Sequence, residues 1–420
     1  MPKRENIMSP VPAMLFLTAV LVLFSGMASA ESQKVISEKN EYGGKTIGVT
    51  YESGDKLYGD AVKAIISYDG NGGKAKEEYF CTDKFADETG INKKIVFFDS
   101  SGKMTKAELL YTDKFANEKG VNRSIAYSDA DGNETKEELF HTDKFADEKG
   151  FQRDISYFDI NGKMTKREFF YTDKFAGEQG YKRLLADFDA KEKIIKEELF
   201  YTDAFANEKG LDRSITYLEG NNGKPERDEY FFTDGFADEK GVKKKIVYRS
   251  SNGKVTREDL FYTDKFAGDK GIDKDISFFD GDGKLIREER YYAGRFADEK
   301  GVNKVIDYFD SDEKLIEEKL FYTDAFADKN GYGKAIAYFH GNEHMIEEEI
   351  VYTDKFSAEK GIKRSITYLD SDGKMTRVEY LHTDKFADEN GYNRSLTFFD
   401  PDGKITKNEY YKDNKLIEKK

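Results

Sequence analysis

The sequence has 420 residues, with 68 basic against 82 acidic side chains for a formal charge of −14, and no Trp. That acidic balance argues against nucleic acid and anionic membrane surfaces as partners, because their phosphates would be repelled. The single cysteine, Cys81, rules out an internal disulfide; it stands where later copies carry Tyr111, Tyr171 and Tyr201, and is read as a replaced Tyr.

Residues 1–30 read as an export signal. Lys3 and Arg4 give a basic start, Met14 to Phe24 an apolar core, and Ala28-Ser29-Ala30 a cleavage site. The apolar run is short for a membrane span, so the expected product is periplasmic or secreted after cleavage near Ala30, and not an integral membrane protein. Residues 31–60 read as an N-terminal segment with a capping hairpin over Lys45 to Tyr58, residues 61–411 as twelve hairpin repeats, and residues 412–420 as a C-terminal cap.

The repeat is marked by the string TDKFANEKG at Thr112 to Gly120. Its Phe recurs at 85, 115, 145, 175, 205, 236, 266, 296, 326, 356 and 386, each followed five residues later by Gly. The step is thirty residues except from Phe205 to Phe236, where it is thirty-one. Such periodicity signals one supersecondary unit stacked many times. Thr112 and Asp113 can cap a short helical spacer and Gly120 can end it in the left-handed region. Phe115, Gly120, Phe145 and Gly150 are therefore expected to anchor the spacers, with Val121 packing back onto Phe115.

Between spacers the pattern is that of a hairpin. Val121 to Ser128 has strand composition, Asp129 to Asn133 has turn chemistry, and Thr135 to His141 reads as the returning strand. The extra residue falls in the longer turn LEGNNGKP at 218–225, where an insertion disturbs pairing least. One copy alone cannot cover its own apolar side chains, so copies must dock in series. The expected fold is mainly β: tandem 30-residue hairpin repeats with helical-turn spacers, forming an elongated solenoid-like array.

Two charged columns run through the copies. A base stands three residues after each spacer Gly, as in Arg123, Arg153 and Arg213, and an acid recurs on the returning strand, as in Glu138, Glu168 and Glu198, with Lys319 breaking the series. These are read as a structural ladder of cross-strand or inter-copy ion pairs. An aromatic column, Tyr111, Tyr171, Tyr201, Tyr262, Tyr322 and Tyr352, is either core or a stacking platform for sugars.

Cofactors are not expected. Calcium at the hairpin turns would rest on pairs such as Asp129 with Asp131, because the loop-like DPDGKITKNE at Asp400 to Glu409 has Phe398 where a first ligand belongs. His340 and His344 share a turn without a helix to align them. No nucleophile triad, phosphate loop or HExxH motif is present, so catalysis is not expected.

The string G-x-x-R-x-I-x-Y-x-D-x-x-G-K, complete from Gly361 to Lys374, resembles the YD repeats of Rhs-type proteins. That resemblance implies secreted or surface β-hairpin repeats that build large twisted sheets and bind rather than catalyse. YFDINGKM at 157–164 also resembles cell-wall and glucan-binding hairpin modules, which normally use Trp. The expectation is an exported, non-enzymatic scaffold offering a multivalent surface at the cell envelope to a polysaccharide or surface protein. The alternatives are a glycan-binding module using the Tyr column, or an enzyme with its site in a divergent copy near Ala293 and Gly294.

Overall fold

The computed structural model describes residues 32–50, 61–219, 223–340 and 344–419. The expected leader, residues 51–58 of the Lys45 to Tyr58 hairpin, part of the longer turn, the centre of the His340 to His344 segment and Lys420 lie outside the described residues. Among those described there are twenty-seven strands and eleven seven-residue helices, in two compact units, one reaching Phe205 and including Gly223, the other comprising Ala206–Glu219 and the residues from Lys224 onward. No helix among them is long and apolar enough to cross a membrane.

Within each unit the strands form an antiparallel meander. Val121–Ser128 pairs with Glu134–His141, which pairs in turn with Phe151–Phe158. At the front, Gly43–Thr50 lies between Ser32–Ser37 and Ala61–Asp69. Extensive packing joins neighbouring strands, and most of the helices to the strand that follows them. The sheet is therefore one layer thick, and its core forms by sideways packing of side chains along both faces.

The turn chemistry is local and consistent. Asp129 Oδ1 accepts the N–H groups of Asp131 and Asn133, each at 2.9 Å, while Gly132 supplies the positive φ of 87°. Glu192 and Glu313 take the same left-handed conformation, at φ 58° and 59°, and their carboxylates accept from the backbone N–H groups of Met164 and Leu285 in the preceding hairpins.

The expected spacer helices form. In Asp113–Lys119, Thr112 is extended at φ −68°, ψ 154° and its Oγ1 accepts from Phe115 N–H at 3.3 Å. Gly120 closes the helix at φ 76°, donating to Ala116 O at 2.8 Å. Seven residues are too few for a stable isolated helix, so the neighbours must hold it. Thr142 N–H donates to Gly120 O at 2.9 Å, linking consecutive spacers through their backbones. The ring of Phe145 covers Gly120 so closely that a Cβ there would lie 2.3 Å from Phe145 Cδ2. The glycine is thus required twice, by its backbone angle and by the next copy's phenylalanine. The expected contact from the residue beyond the glycine back to the spacer Phe appears as an edge-on pair of Phe145 and Phe151, with centroids 5.5 Å apart.

Candidate functional site

Strand alternation puts Arg123, Ile125 and Tyr127 on one face and Ser124 and Ala126 on the other. On the first face Glu108, Ile125, Glu138 and Ile155 stand in register on four successive strands. The acids are buried, and each lies between two bases. Glu138 meets Lys136 of its own strand at 2.5 Å and Arg153 of the next copy at 3.5 Å, while Tyr127 donates to it at 3.1 Å. Burial pushes the Glu138 carboxyl up, but the bond from Lys136 and the nearby cations outweigh it and hold it below the usual range. Lys136 in turn lies over Tyr127 at 4.6 Å, and Arg153 over Phe170 at 4.6 Å.

The base-to-acid step therefore runs to the preceding copy: Arg123 pairs with Glu108 at 2.7 Å and Arg183 with Glu168 at 2.7 Å. In the second unit Lys244 meets Glu229 at 2.8 Å and Lys304 meets Glu289 at 2.8 Å. Arg213 stacks on Phe231 at 4.1 Å, and Glu198 lies 3.6 Å from Lys196. Where the column breaks, Lys319 turns to Glu317 at 2.9 Å and lies over Tyr308 at 4.4 Å.

The opposite face differs from copy to copy, and reading only the recurring columns missed it. Ser124, Asp154 and Leu184 occupy one position in three successive copies of the first unit; Asp275, Val305 and Ala335 do so in the second. Asp154 is 1% exposed and accepts from Arg167 Nε at 3.1 Å, with His141 Nε2 at 2.7 Å. The other ring nitrogen of His141 lies 3.2 Å from Gly120 O. Beside them the Glu137 carboxyl is pushed up to about 7 by burial and by the charges of Glu134 and Asp154, partly offset by Arg167. The cluster is closed and packed, and it joins a spacer to the sheet.

In the second unit Glu288, Asp307 and Glu318 stand directly opposite one another on three successive strands. Arg290 reaches Glu288 at 3.8 Å and Asp275 at 3.4 Å. Among the described residues no cation forms an ion pair with Asp307 or Glu318, and Asp307 Oδ1 is buried without a hydrogen-bond partner. Burial and the Glu318 charge push the Asp307 carboxyl up to about 6 against the pull of Arg290, and burial raises Glu288 and Glu318 as well.

Each Tyr of the aromatic column stacks on its spacer Phe; Tyr171 is buried and the other five are half-buried. Tyr111 stacks on Phe115 at 4.6 Å and shares a hydrogen bond with Ser124 Oγ at 2.9 Å. Tyr171, 5% exposed, stacks on Phe175 at 4.7 Å, and Tyr201 on Phe205 at 4.8 Å. Tyr262, Tyr322 and Tyr352 each stack on their spacer Phe at 4.6 Å, and Tyr262 also donates to Asp275 at 2.8 Å. The i, i+4 spacing of Tyr and Phe was the available signal.

At the turns, Asp129 Oδ1 accepts from two backbone N–H groups and Oδ2 accepts from Asn133 Nδ2 at 3.1 Å, so the carboxylate on which calcium at a turn would rest already holds the turn together. No group of three His, Cys, Asp or Glu side chains able to hold a metal occurs among the described residues. His340 and His344 face each other as the last pair of their hairpin. Cys81 is half-buried opposite Ala61.

The chain is a tandem β-hairpin repeat array. No family model matches it, and no curated protein matches it. Among solved structures, a crystal structure of TcdB2-TccC3 aligns with 98% of this chain and 29% of that one, at 10% identity and a TM-score of 0.13. A structure of TcdB2-TccC3-Cdc42 aligns with 92% of this chain and 26% of that one, at 10% identity and 0.14. A porin-like protein from Bacteroides vulgatus aligns with 57% of this chain and 92% of its own, at 11% identity and 0.11. This chain thus spans under a third of the length of the TcdB2-TccC3 chain it aligns with.

Proposed function

We propose that the protein is an exported, non-enzymatic scaffold presenting a repeating surface at the cell envelope to a polysaccharide or a surface protein. The observation that carries this reading is the Ile, Glu, base and aromatic lattice of the first face, which recurs at the same register from hairpin to hairpin within each unit. Two strands per copy give a pitch of about 10 Å. A ligand whose own units repeat would meet the same side chains many times, and weak single contacts would multiply through effective concentration. The likeness to YD repeats agrees with this reading.

The divergent copy keeps the frame of the others: helix Gly294–Lys300 ends at its glycine stop and Phe296 covers Gly271. The test is binding of the full chain to isolated envelope fractions and a polysaccharide panel. A polymer should outcompete its own short oligomers by about 10²- to 10⁴-fold at equal unit concentration. Equal competition by a single unit would defeat the multivalent reading.

A further inference from the structure

A bulge in each hairpin places one residue out of register at the start of the returning strand. In six copies that residue is Thr, whose hydroxyl donates to a backbone carbonyl of the opposite strand: Thr105, Thr135, Thr165, Thr256, Thr376 and Thr406. Three consecutive copies of the second unit depart from this. Ile286, Ile316 and Ile346 occupy the position and are 40%, 41% and 40% exposed. Two residues further along the same strands stand Glu288, Glu318 and Glu348, with Asp307 between the first two. Among the described residues, Asp307, Glu318 and Glu348 have no ion-pair partner, whereas nearly every acid of the opposite face is paired.

We propose that this patch is a docking surface for a basic amphipathic helix of another protein. Exposed branched aliphatics in a row, flanked by unneutralised carboxylates, complement a segment carrying aliphatic residues beside Lys and Arg. The spacing selects the helix. Neighbouring Ile positions are two strands apart, about 10 Å, which matches one heptad of helix at 1.5 Å per residue. Three residues of extended chain cover the same distance, but they leave alternate side chains on opposite faces. The occupant therefore has an aliphatic residue at every seventh position over about fifteen residues, with bases on the flank that meets the carboxylates.

The test uses the full chain and a synthetic three-heptad peptide with Leu at every seventh position and Lys on the flanks, followed by fluorescence anisotropy at physiological salt. The triple variant Ile286→Thr/Ile316→Thr/Ile346→Thr restores the residue that six copies already carry, so it should fold; it should bind at least tenfold more weakly. Glu288→Gln/Asp307→Asn/Glu318→Gln should also lose at least tenfold, while Ile195→Thr in the first unit, an isolated exposed Ile, should change nothing. A control peptide with Ser for Leu should bind at least tenfold more weakly. The proposal is overturned if both triple variants bind like the parent or if the Ser peptide binds equally well. It is also overturned if the parent ignores the peptide, including the case where the Ile substitutions abolish self-association, which would give the stripe to a second copy.

Discussion

Two spacer helices, Asp113–Lys119 in the first unit and Gly294–Lys300 in the second, share one length and one glycine stop but differ in almost everything around them. The first is capped by Thr112; the second has Ala293 at that place and no side-chain cap. After the first, Glu138 is clamped by Lys136 and Arg153; after the second, Lys319 stands in the equivalent place, and the half-buried Asp307 lies among like charges. Both helices nevertheless form, because the links that persist are those to the neighbours. Ala293 N–H still donates to Gly271 O at 2.8 Å, and Phe296 still covers Gly271. The comparison divides the repeat into a frame that every copy needs and fittings that single copies can lose.

The frame is the place to break. Gly120→Ala places a side chain at φ 76° and 2.3 Å from Phe145, whereas Gly132→Ala meets the same backbone strain at φ 87° with nothing within 4 Å. Left-handed strain costs roughly 1–2 kcal/mol and overpacking roughly 1–3 more. Urea titration should show Gly120→Ala the costlier by about 1–3 kcal/mol; equal costs would remove the phenylalanine from the frame.

The fittings can be tested by charge. Burial and the Glu318 charge push the Asp307 carboxyl up to about 6 from the ordinary 3.8, so the stability tied to its proton is complete below about 4 and is lost as pH rises through 6. Asp307→Asn should therefore stabilise the protein at pH 7.5 by about 1 kcal/mol, after allowance for partial exposure, and leave it unchanged at pH 4. Glu138, held below its ordinary range, supplies the opposite sign: Glu138→Gln should cost stability at pH 7, and the cost should fade as the medium is acidified. The same slope for both variants would erase the distinction between paired and unpaired acids. The smallest effect is a repair: Ala293→Thr should add a cap and raise stability by roughly 0.5–1 kcal/mol in the same titration.

Hairpins, turns and spacers were legible in the sequence because each depends on residues close in the chain: Asp129 with Asn133, Thr112 with Phe115, Gly120 with Ala116. Partner choice across strands was less so. Arg123 and Glu138 sit on one hairpin, yet register places Arg123 beside Phe140 and gives its charge to Glu108. The aromatic column could not be assigned from composition, since only the placement of Phe115 against Tyr111 shows that one side of the ring is covered. The variable face escaped altogether. Its residues, Asp154 and Asp307 among them, are informative because they do not recur, and they become visible only when copies are compared for their differences.

The cover of Gly120 by Phe145 repeats at Gly150, which receives Phe175. Excision of residues 121–150 would bring Phe175 onto Gly120, and the new junction would reproduce chemistry already present on either side of the cut. Recombination between copies can thus shorten or lengthen this protein in thirty-residue quanta without redesigning a single joint, so natural length variants should differ by whole modules and seldom by fractions of one.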